Sequence, residues 1–194
     1  MSLLYGDDFE DKTTIPNAGC FMYMFAMCNG LTTAPELTAT RLTVVCYSAM
    51  FSGCTSLIAA PELPATTLAE QCYQSMFQGC ESLTTAPELP ATTLAQNCYY
   101  GMFAYCESLT TAPSTLPATT LAEYCYGGMF SGCTSLNHIT MLATDISANY
   151  CLGSWVEGVS STGTFVKHPD MESLPTGESG IPEGWTVIDY DFKN

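Results

Sequence analysis

Apolar side chains recur along this chain at two interleaved spacings. Between Cys72 and Cys80 they fall at Cys72, Tyr73, Met76, Phe77 and Cys80, positions i, i+1, i+4, i+5 and i+8. That spacing fits the 3.6-residue stripe of a short amphipathic helix. Glycine closes the segment at Gly53, Gly79 and Gly132, where a left-handed C-terminal residue costs least. Met27 and Tyr105 hold that place in two other copies, so the left-handed conformation is not strictly demanded. A helix of about two turns is marginal alone and must be held by packing. Next, Ser82-Leu83-Thr84-Thr85-Ala86-Pro87 reads as a short strand, with Leu83 and Ala86 facing inward and Pro87 ending it, because proline donates nothing to a ladder.

The whole unit repeats. The Met-Phe pair marks each copy, at Met24, Met50, Met76, Met102 and Met129, so the period is 26 residues three times and then 27. The extra residue falls at Ser114-Thr115, where other copies have one glutamate, and a turn there absorbs it without moving strand or helix. Leu31, Leu57, Leu83, Leu109 and Leu136 form one apolar column, and Ala34, Ala60, Ala86, Ala112 and Ile139 form another. The Leu-x2-Ala spacing matches the inward positions of a leucine-rich-repeat strand. A period in this range predicts an α/β solenoid of about five repeats, each with short strands and a short helix, whose copies bury their apolar faces only by stacking.

Three regions follow. Residues 1–14, with Asp7, Asp8, Glu10 and Asp11, read as an N-terminal cap or as a truncated edge. Thr13-Thr14-Ile15 already echoes the Thr-Thr-Leu of later copies, so the chain is expected to be a piece of a longer one. Residues 15–150 carry the repeats. Residues 151–194 read as a β-rich C-terminal cap, in which two or three strands and Trp155 and Trp185 cover the last repeat. The alternative use of the tryptophans is a ligand platform, which yields to core packing because large aromatics bury the most area.

Composition narrows the function. Nineteen acidic residues face four basic ones, a net charge of -15 in 194 residues. That balance repels phosphate backbones and anionic lipid, so nucleic-acid and membrane-surface partners are disfavoured. The chain carries no run of about 20 apolar residues and does not open on a basic-then-apolar export signal. The eleven cysteines form five pairs eight residues apart, with Cys151 following alone. Across a helix, eight residues is about 12 Å of rise, beyond the roughly 7 Å limit for a bridge. The thiols therefore read as packing groups. They lack the Cys-x2-Cys spacing of a zinc site.

The phrase Met-Phe-x-Gly-Cys-x-Ser-Leu followed by Pro-x-Leu-Pro, written at Met76 to Pro90, resembles the BspA-like (Treponema pallidum type) leucine-rich repeats of bacterial surface proteins. It is also similar to the Met-x2-Met-Phe-x2-Cys-x-Ser-Leu repeats of mycoplasma lipoproteins. The likeness covers about residues 15–150. The closing run from Trp155 to Trp185 looks like the end segment of such chains from gut Bacteroidetes and their prophages. The resemblance implies a right-handed solenoid and a surface-exposed adhesion or host-protein-binding role. Alanine in the strand column, Thr38 in place of a turn proline, and the slightly long period depart from the family pattern.

Candidate chemistry is sparse. A nucleophile needs a base within reach, and His138 and His168 have no partner that the sequence identifies. Glu36, Glu62 and Glu88 recur at one turn, about 5 Å apart if the copies stack like parallel strands. A column of carboxylates at that spacing attracts a cation, but isolated ones make a poor calcium cage, so they read as solvated turn residues. Adjacent threonines point to opposite faces of a strand, which rules out a paired ice-binding array. What remains is a polar face of Thr84, Pro87 and Glu88 with their equivalents Glu36, Glu62 and Thr110. The expected function is a non-enzymatic module, without cofactor or metal, that binds a host extracellular protein or glycan at a cell surface or outside the cell. The alternatives are a structural or receptor-binding part of a phage-derived fibre and, less favoured, an enzyme.

Overall fold

The computed structural model describes residues 13–193. It corrects the α/β expectation: among the described residues there is no helix, and the regular strands are three short ones. These are β1 (His138–Met141), β2 (Thr164–Lys167) and β3 (Thr186–Asp189), joined in parallel in the order β1-β2-β3. His138 pairs with Thr164, and Thr164 with Thr186. The description as a leucine-rich-repeat solenoid of strands and helices therefore does not hold. What lies one copy above the next is a set of irregular, turn-rich segments.

The expected helices are replaced by ribbons of overlapping turns, and the backbone accounting shows why they hold. In the ribbon from Gln71 to Cys80, every second N–H donates three residues back: Gln74 to Gln71, Met76 to Tyr73, Gln78 to Ser75, Cys80 to Phe77. The N–H groups between them donate 25 residues forward into the next copy: Tyr73 to Cys98, Ser75 to Tyr100, Phe77 to Met102, Gly79 to Ala104, at 2.8–3.0 Å. A helix would have used every donor internally. The ribbon splits them between its own turns and its neighbour, so buried backbone groups stay paired, as they must.

Every fourth ribbon residue is left-handed. Gln71, Ser75 and Gly79 have φ of 55°, 52° and 71°, and the same three places are left-handed in the ribbons before and after. Met27 and Tyr105 keep that conformation at φ 59° and 60°, so the geometry is demanded even where glycine is missing. A non-glycine residue there costs about 1–2 kcal/mol. Tyr73, Met76 and Phe77, all buried in the same ribbon, each return about 1.5–3 kcal/mol. Burial outweighs the two strained residues, Gln71 and Ser75.

The core is a set of columns. Phe25, Phe51, Phe77, Phe103 and Phe130 stack with centroids 5.5–5.7 Å apart and planes within 7°. Phe21, Tyr47, Tyr73, Tyr99 and Tyr126 form a second stack at 5.5–6.0 Å. Nine cysteines are buried, while Cys20 and Cys28 in the first copy are exposed. The thiols of Cys54, Cys80, Cys106 and Cys133 donate to the carbonyls of Phe25, Phe51, Phe77 and Phe103 at 3.0–3.2 Å.

The expected strands shrink to single parallel bridges, Thr33 to Ala59 to Thr85 to Thr111. The proline column explains this, since Pro35, Pro61, Pro87 and Pro113 each follow closely and end the pairing. In the fifth copy Thr140 takes the proline's place, and there the bridge lengthens into β1. The stack then closes over Trp155. Glu178 O accepts the Val156 N–H, Ser179 Oγ accepts the Ser154 N–H, and Gly180 O accepts the Trp155 indole N–H at 2.8 Å. Trp185 donates to Ser160 O at 2.7 Å. Both indoles are buried, so neither offers a ligand platform. The acidic residues Asp7 to Asp11 lie outside the described residues.

Candidate functional site

Each of the second and third copies contributes a Pro-Glu-Leu-Pro loop whose leucine, Leu63 or Leu89, is buried and whose glutamate, Glu62 or Glu88, is exposed. Burying the leucine fixes the loop. It leaves the two proline rings as walls and the carboxylate pointing away from the core. Between the loops Pro61–Pro64 and Pro87–Pro90 lies a cleft of about 270 Å³ lined by the four prolines with Glu62 and Glu88. A second cleft of about 350 Å³ lies one copy earlier, where Glu36, Leu37 and Thr38 face Pro61 and Glu62. Thr38, the residue that departs from the proline pattern, lines this second cleft.

Of the face expected from the sequence, Pro87, Glu88 and Glu62 meet in one cleft, and Glu36 joins Glu62 in the next. Thr84 and Thr110 sit to one side, joined by the Thr110 hydroxyl donating to Thr84 O at 3.2 Å. The row of glutamates ends at the inserted residue. The Ser114 N–H and hydroxyl both donate to the Glu88 carboxylate, at 3.1 and 2.6 Å. Sequence reasoning missed this contact, although serine in the place of the next glutamate was its signal.

Neither histidine enters these clefts. His138 Nε2 lies 3.4 Å from the Thr140 hydroxyl. His168 Nδ1 accepts the Asp170 N–H at 3.0 Å and stands 3.8 Å from the exposed Asp170 carboxylate. Asp145 is held below the usual carboxylate range by hydrogen bonds from Ser147. The buried thiols go the other way. Burial raises Cys46 to about 11, and Cys72, Cys125 and Cys133 to about 12, so none of the four is a thiolate near neutrality. Among the described residues no group of three or more His, Cys, Asp or Glu is placed to hold a metal ion, and no helix is long and apolar enough to cross a membrane.

A third cleft, about 320 Å³, lies where the closing segment meets the last ribbon, between Val156, Ser160 and Glu178. It is a seam of the cap, lined also by Ser161 and Glu183, and neither histidine lines it. In comparisons with protein-family models, with curated proteins and with solved structures, the chain matches none.

Proposed function

We propose that this chain is a non-enzymatic binding module, presented on a bacterial surface, that recognises an extracellular protein or glycan through its row of Pro-Glu loops. One observation carries the reading. A solvent-facing cleft with exposed glutamates at its mouth and a buried leucine at its base is built twice, from consecutive copies. Periodic surfaces of stacked repeats commonly bind extended partners. The resemblance of the repeat phrase at Met76 to Pro90 to those of BspA-like surface proteins motivates the same role. The test is saturable binding to immobilised extracellular-matrix proteins or to a glycan array, weakened by substitutions in the loops. Absence of signal on both surfaces contradicts the reading.

A further inference from the structure

We propose that the two consecutive clefts take an extended basic peptide, with one lysine or arginine side chain seated in each; this rests on the binding-module reading and names its ligand class. The argument begins with an inventory of donors and acceptors. Proline has no N–H, so the walls made by Pro61, Pro64, Pro87 and Pro90 offer only rings and carbonyl oxygens. Glu36, Glu62 and Glu88 add carboxylates, which accept and do not donate. These proline walls and carboxylates favour a ligand that brings its own donors and an apolar stem to lie on the rings. Lysine and arginine do both, covering apolar surface with their methylenes while the charged head reaches a carboxylate. Beside its glutamates the second cleft holds the Thr38 hydroxyl, which can both donate and accept, while an anion meets repulsion from the carboxylates.

Among the described residues no basic side chain is paired with these carboxylates. Lys167 pairs with Asp189, and His168 stands near Asp170, both away from the clefts. Glu88 is steadied from one side by Ser114 and keeps its place in the first cleft. Spacing fixes the form of the ligand. Copies related by parallel bridges are about 4.8 Å apart, and alternate residues of an extended peptide are about 6.6 Å apart on one face. A basic residue at every second position therefore reaches successive clefts, the flexible stems taking up the difference.

The probe is a fluorescently labelled Arg-Ala-Arg-Ala-Arg-Ala peptide, titrated with the intact chain and followed by anisotropy. The expected result is saturable binding that weakens at least tenfold in the Glu36→Gln/Glu62→Gln double variant. The Glu107→Gln/Glu172→Gln variant, which removes the same charge away from the clefts, changes it less than twofold. Both glutamates of the first pair are exposed, and matching thermal melts establish that the variant is folded. Equal weakening in the two variants assigns binding to overall charge and overturns the proposal, as does no binding to the probe. A chain that binds a matrix protein or chito-oligosaccharide through these loops but not the probe keeps the binding-module reading and loses the cationic ligand.

Discussion

Two tyrosine hydroxyls, Tyr73 Oη and Tyr99 Oη, are buried without a hydrogen-bond partner. An orphaned polar atom costs about 1–3 kcal/mol. Their rings nonetheless remain in the second aromatic column, where stacking and burial dominate. Tyr73→Phe is therefore expected to leave stability unchanged or raise it by up to about 1 kcal/mol, read from the urea midpoint. A loss beyond about 1 kcal/mol would show that the hydroxyl is satisfied in solution. The columns themselves were legible in the sequence, because a fixed period brings like residues together whatever the local backbone does. The left-handed residues were not, since Val45, Gln71 and Tyr124 carry no sign of φ at 54–60° in their chemistry. The substitution of Met27 and Tyr105 for glycine argued against a left-handed requirement, whereas the backbone keeps it there at the cost of strain.

At the scale of one element, the ribbon and the helix share an apolar pattern. A period of 4 departs from 3.6 by about 40° per four residues, and two turns are too short for that drift to separate them. The discriminating feature was the spacing of glycine, as at Gly128 and Gly132, four apart and both left-handed. Strands failed for a legible reason, the proline after each bridge, and the lengthening of β1 where Thr140 replaces it follows the same rule. The Pro-Glu clefts were legible only as a face, since the Ser114 contact depends on the turn made by the inserted residue. That turn is expected to tolerate change. Deleting Thr115, which restores a 26-residue spacing, is predicted to alter stability by no more than about 1 kcal/mol, as loop changes cost little. One residue inserted after Gln74 displaces Met76 and Phe77 from their columns and is predicted to cost more than about 3 kcal/mol, since core side chains lost to solvent cost that much. Equal tolerance at both sites in urea titrations would refute the ribbon register.

For the whole molecule, stability rests on a continuous interior of thiols, rings and leucines, and this makes it sensitive to alkali. The unfolded chain ionises its cysteines near 9, whereas burial holds the thiols of Cys46, Cys72, Cys125 and Cys133 protonated to about 11 or 12. Below pH 9 both states are protonated and stability is unaffected. Above it the unfolded state loses protons first, so each such thiol removes about 1.4 kcal/mol per pH unit until its native pKa is reached. Four together remove about 5–6 kcal/mol by pH 10, enough to unfold a domain of ordinary stability, and a circular-dichroism pH titration is expected to show a steep transition between 9 and 10.5. A flat profile to pH 11 would mean that the thiols are not buried. The account stands most of all on the left-handed residue at every fourth ribbon position, and Gly101, at φ 59°, tests it. Its missing Cβ would meet Ser75 Oγ at 3.3 Å, a contact that a small rotation relieves, so the backbone decides the outcome. The urea midpoint of Gly101→Ala is predicted to fall by the equivalent of about 1–2 kcal/mol, whereas a rise of about 1 kcal/mol, the gain alanine brings to a helix interior, would contradict the ribbon.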